Sequence, residues 1–172
     1  MTIFLTLAAI TQSFSISLGV GSSTLAIATF FVAIADGSIN PDERKMMGVV
    51  YIVLRIAMVL ILTTTLIILA AQYAANSFEF APFLIGQLFV IVILFVNAML
   101  MTAHLIPSNF GPAIQAGNWY TLGTLSALVP LGLTTFSFTQ FFIAYITWIV
   151  LAIAIVNAIM AWQMAKRNKF IK

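Results

Sequence analysis

Arg55 stands in the run Val49-Val50-Tyr51-Ile52-Val53-Leu54-Arg55-Ile56-Ala57-Met58, one guanidinium among apolar side chains. An ionisable group inside an apolar helix is costly to bury. By default it marks a function or a paired charge, and the competing reading is a long stem reaching toward lipid headgroups. His104 is the single histidine. Asn97, Met101 and His104 follow i, i+4, i+7 spacing, which puts them on one face of a helix that continues through all three. Asp36 and Asp42 are natural carboxylate partners for Arg55. Asp36, Arg55, Asn97 and His104 therefore form a first candidate polar cluster, with separate exposure to headgroups as the alternative. A second candidate is a polar path along Gln12, Ser15, Gly19, Ser22 and Ser23. Glycine and serine at membrane depth are typical of the broken helices that hold substrates or ions in carriers.

Other chemistry is short of parts. There is no phosphate-binding glycine loop, no metalloprotease helix and no plausible triad around His104. Carboxylates of the kind that couple proton-driven carriers are missing from the apolar runs, and so is a lysine able to form a Schiff base. Cysteine is absent, which removes thiolate metal sites and redox pairs. A bis-histidine haem site needs two histidines; a His104/Met pair is the remaining haem geometry, and plain packing explains the eight methionines better. The expectation is no enzyme, no cofactor and no metal.

The turn Asp36-Gly37-Ser38-Ile39-Asn40-Pro41-Asp42-Glu43 resembles the second half of an EF-hand loop and the Asp-Gly-x-Ile helix turn of tellurite-resistance TerB-like domains. The resemblance covers about eight of the 172 residues. An EF-hand needs oxygen ligands at its first and third positions, which here are Val32 and Ile34. Capping explains the turn instead: Asn40 as N-cap, Pro41 at the first helical position and Glu43 completing a capping box. No function is carried over from it.

The elements that must hold these residues follow from composition. Of 172 residues 63% are hydrophobic and 6% charged, against roughly a quarter charged in an ordinary soluble domain. A soluble fold of this size cannot hide that much apolar surface, and disorder needs the opposite composition. The fold class expected is all-α: a polytopic integral membrane protein, one transmembrane domain over 1–172. Its five-helix bundle has spans at about 3–35, 46–73, 82–106, 113–133 and 139–164. Span one is long enough to tilt, protrude or break near Gly19–Ser23, and span four bends or ends early near Pro130. With five spans, Arg44, Lys45, Lys166, Arg167, Lys169 and Lys172 share one side, and the opposite loops hold no Lys or Arg. The positive-inside rule then places the N-terminus out and the C-terminus in. Trp119, Tyr120, Trp162 and Tyr73 are expected in interfacial belts, and Phe136, Phe138, Phe141 and Phe142 around the short outer turn.

Gly19-x-x-x-Ser23, Gly123-x-x-x-Ala127 and Ala154-x-x-x-Ala158 fit close helix packing. The leading functional expectation is a small non-enzymatic membrane protein, an accessory or structural subunit that packs with itself or with other membrane chains. The alternative is a small oligomeric transporter or channel using the path near Gly19–Ser23 and Arg55. The expected surroundings are the lipid bilayer, not nucleic acid, in a cell membrane of prokaryotic type.

Overall fold

The computed structural model describes residues 2–35, 40–107 and 110–170, so Asp36 of the candidate cluster lies outside the described residues. The described elements are five helices: α1 (Thr2–Ala35), α2 (Pro41–Ala74), α3 (Pro82–Thr102), α4 (Gly111–Leu128) and α5 (Phe138–Phe170). Among the described residues, α1, α2, α3 and α5 are long and apolar enough to cross a membrane, so the protein is an all-helical bundle compatible with a membrane location. With 18 residues and Gln115, Asn118 and four hydroxyl side chains, α4 falls short of that standard.

Local chemistry sets the helix ends. Asn40 caps α2 by the expected box: the Glu43 amide donates to Asn40 Oδ1 and the Asn40 amide to Glu43 Oε2, both at 2.8 Å. Ser137 and Gln140 make the same reciprocal exchange at the start of α5. Three helices then stop alike. Asn76, His104 and Gly132 have positive φ, at 51°, 55° and 68°. At each, its own amide and the next one bond back to the preceding turn, the second as in Ser77 N to Gln72 O, Leu105 N to Leu100 O and Leu133 N to Leu128 O. These are Schellman closures, in which a residue in the left-handed region ends the helix.

The closures account for the shorter spans. α3 ends at Thr102, ahead of the expected 106, because His104 turns the chain. α4 covers 111–128, because the turn through Gly132 closes it before Pro130 acts as an interior kink. α1 runs unbroken through Gly19–Ser23. The Ser23 and Thr24 hydroxyls bond to the Gly19 and Val20 carbonyls of their own helix, which satisfies them without opening it.

α4 is the central helix. It packs against α1, α3 and α5, while α2 lies mainly along α1. The core contains Ile61, Leu94, Trp119 and Leu122, each no more than 1% exposed. The Trp119 indole lies on the backbone of α1 at Gly19, where an added Cβ would collide with ring atoms Cε3, Cδ2 and Cζ3. Trp119 is thus a core residue, not the interfacial anchor its position beside a loop suggested. An aromatic ladder closes the end near Phe138: Phe136 stacks on Phe141 and Phe141 on Tyr145, with Phe89 edge-on to Phe142 and Tyr145. At the opposite end Ala113, Val156 and Met160 form a smaller cluster with Ile27 and Phe30.

At 1.5 Å per residue, α3 is about 31 Å long and α4 about 27 Å, whereas α1 and α2, with 34 residues each, reach about 51 Å. The short pair and the long helices cannot end at the same levels. Gly19→Ala is expected to cost about 1–3 kcal/mol by overpacking against Trp119, seen as a fall of several degrees in the thermal midpoint of the detergent-purified protein. Gly21→Ala, whose Cβ meets nothing within 4 Å, should leave the midpoint unchanged or slightly raised.

Candidate functional site

Polar side chains converge on α4 from both neighbours. Asn97 of α3 is 3% exposed. Its Nδ2 donates to Gln115 Oε1 at 2.8 Å and to the Gly111 carbonyl at 3.0 Å. Gln115 Nε2 in turn reaches the Met58 sulfur of α2 at 3.5 Å. One turn further along, the Tyr145 hydroxyl of α5 donates to Asn118 Oδ1 at 2.8 Å, and Trp148 Nε1 donates to the Gly117 carbonyl at 3.0 Å. Asn118 is fully buried. Within this region the buried atoms Asn97 Oδ1 and Trp119 Nε1 make no hydrogen bond, nor does Gln163 Oε1 on α5. Among the described residues no three His, Cys, Asp or Glu side chains gather as a metal site would require. The network holds amides, a phenol and an indole; it can bind and position, and it contains no group suited to proton transfer near neutral pH.

The sequence-derived cluster does not assemble among the described residues. Arg55 is exposed and makes no ion pair or hydrogen bond there. Its level in the bundle follows from its neighbours. Tyr51 and Leu54 line the same water-sized cavity, about 20 Å³, as Met101 and Pro112. Arg55 therefore lies close to the level of the α3–α4 turn, where its stem has a short reach to the helix ends. His104 is exposed beyond the end of α3 and does not share a helical face with Asn97. Its positive φ suits it to stopping the helix, a conformation for which histidine is enriched. Asp42 is exposed at the start of α2.

The proposed polar path resolves into helix contacts. Gln12 Nε2 donates to Thr65 Oγ1 at 3.0 Å and Ser15 Oγ to the Ala57 carbonyl at 2.8 Å, both joining α1 to α2. Gly19 is covered by Trp119, Ser22 is half-buried, and Ser23 bonds within its own helix. Sequence reasoning missed Gln115, Asn118 and Tyr145. The available signal was the i, i+3 pair of amides, Gln115 and Asn118, inside one apolar segment.

Two open features flank this network. A groove of about 740 Å³ runs between α4 and α5, lined by Thr121, Thr124, Leu128, Phe136, Ala144 and Trp148. A smaller cleft of about 310 Å³ opens among α1, α2 and α3, beside Gln12, Gln72 and Gln87.

A double-mutant cycle on Asn97→Leu and Gln115→Leu in detergent should give a coupling of about 0.6–1.7 kcal/mol, the range for interhelical hydrogen bonds in membranes. Additive losses would show that the two amides act independently. Arg55→Ala should change the thermal midpoint little, within about 0.5 kcal/mol as for an exposed side chain. No known family model matches the chain, and neither a curated protein nor a solved structure shows significant similarity to it.

Proposed function

We propose that the chain is a five-span, non-enzymatic membrane protein with its N-terminus outside and its basic C-terminal end in the cytoplasm. In this reading it serves as an accessory or structural subunit, packing its α4–α5 groove against a helix of another copy or another membrane chain. The observation that carries it is the groove itself, about 740 Å³ of space left open between two helices. Thr121, Thr124 and Ala144 line its walls. Small side chains let a further helix approach closely, and the Thr121 and Thr124 oxygens, whose protons go to the Gly117 and Tyr120 carbonyls of their own helix, remain as acceptors.

Counting α4 as a span is supported by its course. Its first residue abuts Met101 near the end of α3. Its last turns, with Leu125 and Leu128, share a cavity with Phe141, and Phe141 packs on Gly86 near the start of α3. α4 thus runs the length of an apolar helix that is itself long enough to cross a bilayer. Its low hydropathy reflects amides turned inward, toward α3 and α5. With α4 counted, all the basic residues but Arg55 fall on one side, in keeping with the positive-inside rule. The alternative, a small oligomeric transporter, draws on the polar cleft beside Gln12. Beyond it, Trp119 covers the α1 backbone at Gly19, so that reading requires the α1–α4 contact to open.

The chain has no cysteine, so single introduced thiols report position cleanly. A thiol-directed photocrosslinker on Ala144→Cys, in the groove, should give a discrete higher-mass protein adduct in native membranes. The same reagent on Val150→Cys, at an exposed position of α5 outside the groove lining, should not. Co-expression of two differently tagged copies distinguishes self-association from a second chain. Crosslinking to lipid alone at both positions would overturn the subunit reading.

A further inference from the structure

The cleft among α1, α2 and α3 has a composition unlike the rest of the molecule. Its lining includes Gln12, Thr65, Gln72, Ser77, Glu79 and Gln87. Gln12 donates one amide N–H to Thr65, and its side chain lines the cleft. The side chains of Gln72 and Gln87 make no hydrogen bond among the described residues, although both are partly buried. Glu79 adds a carboxylate, and no lysine, arginine or histidine lines the space. These amides are only partly buried, so their polar atoms stay open to whatever enters the cleft. An occupant that donates hydrogen bonds to several oxygens and carries positive charge would be matched by this lining.

We propose that this cleft is a binding site for a small organic primary amine in its ammonium form, held by the Glu79 carboxylate and by the side-chain carbonyls of Gln12, Gln72 and Gln87. An ammonium group carries three N–H donors, which matches one carboxylate surrounded by neutral acceptors. An anion is disfavoured, because the only charged wall residue is negative. A divalent metal ion is also disfavoured, since a single carboxylate with amides supplies little charge for so hard a cation. The volume, about 310 Å³, is at the lower end of ligand-sized pockets and leaves room for a few carbon atoms beside the ammonium. The site forms because α2 lies mainly along α1 and touches α3 little, so the two helices diverge and leave a wedge bridged by residues 75–81.

The test uses the full chain in lipid nanodiscs, with methylammonium as the probe and saturation-transfer NMR as the readout at constant ionic strength. Methylammonium should bind saturably. Tetramethylammonium, which has the charge but no N–H donor, should bind about tenfold more weakly or worse, the loss expected for charge-assisted hydrogen bonds. Glu79→Gln and Gln87→Leu should each weaken methylammonium by a similar factor. Glu79 is an exposed loop residue, so Glu79→Gln can be made without disturbing the core, and unchanged helicity by circular dichroism confirms it. Equal binding of the two ammonium ions, displacement by potassium at equal concentration, or an effect of Glu79→Gln without one of Gln87→Leu would each overturn the proposal, because they describe a loop charge and not a donor-specific cleft. Absence of saturable methylammonium binding would overturn it directly.

Discussion

The indole of Trp119 seated on the backbone of α1 at Gly19 is the contact around which the bundle is arranged. In lipid the hydrophobic effect gives helices little reason to associate; close packing and interhelical hydrogen bonds must do it. A glycine opposite a tryptophan provides the packing, since it brings two backbones together over a large flat ring. With α4 fixed against α1, its other faces meet α3 and α5, and each contact is closed by an amide: Gln115 to Asn97, and Asn118 to Tyr145. α1 carries α2 through Ser15 and Gln12. The polar groups thus serve as the joints of the assembly, and each sits where hydrocarbon would penalise it if left alone.

Much of the outline was legible in the sequence because it depends on local chemistry. The box at Asn40 and Glu43 and the early end of span four need only neighbouring residues, and both are present. The candidate site was not legible, because it depends on which way a helix turns its faces. Trp119 beside a loop has the sequence context of an interfacial tryptophan, yet a notch at Gly19, a hundred residues away, takes it into the core. Asn97 was rightly grouped with Met101, whose sulfur its amide approaches. The i+7 extension to His104 failed because His104 itself ends the helix. A periodicity argument assumes continuous helix, and the positive φ that breaks it leaves no clear mark when the residue is not glycine.

Arg55 shows the same limit for depth. Counted from the start of α2 it lies fourteen residues in, and from hydropathy it falls inside the span, with a stem reaching toward headgroups as the competing reading. What matters is the level of the surrounding helix ends. The α3–α4 turn sits near Tyr51 and Leu54, so the first three turns of α2 stand beyond that turn. From Arg55 to Ala74 is about 30 Å at helical rise, a hydrocarbon thickness. In a bilayer placed at that level, the guanidinium would mark a boundary instead of interrupting a span.

The groove and the cleft have separate origins. α4 lies against α1, α3 and α5 but approaches α2 through side chains such as Gln115. On the α2 side nothing fills the wedge between α2 and α3, and glutamines face the space it leaves. On the far side α4 ends at Leu128 and the chain takes nine residues, 129–137, to enter α5, and Leu133, Thr135 and Phe136 of that connection line the groove. The helix that hydropathy alone would discount therefore shapes the groove, while the cleft, none of whose lining residues belongs to α4, is set by the divergence of α2 from α3.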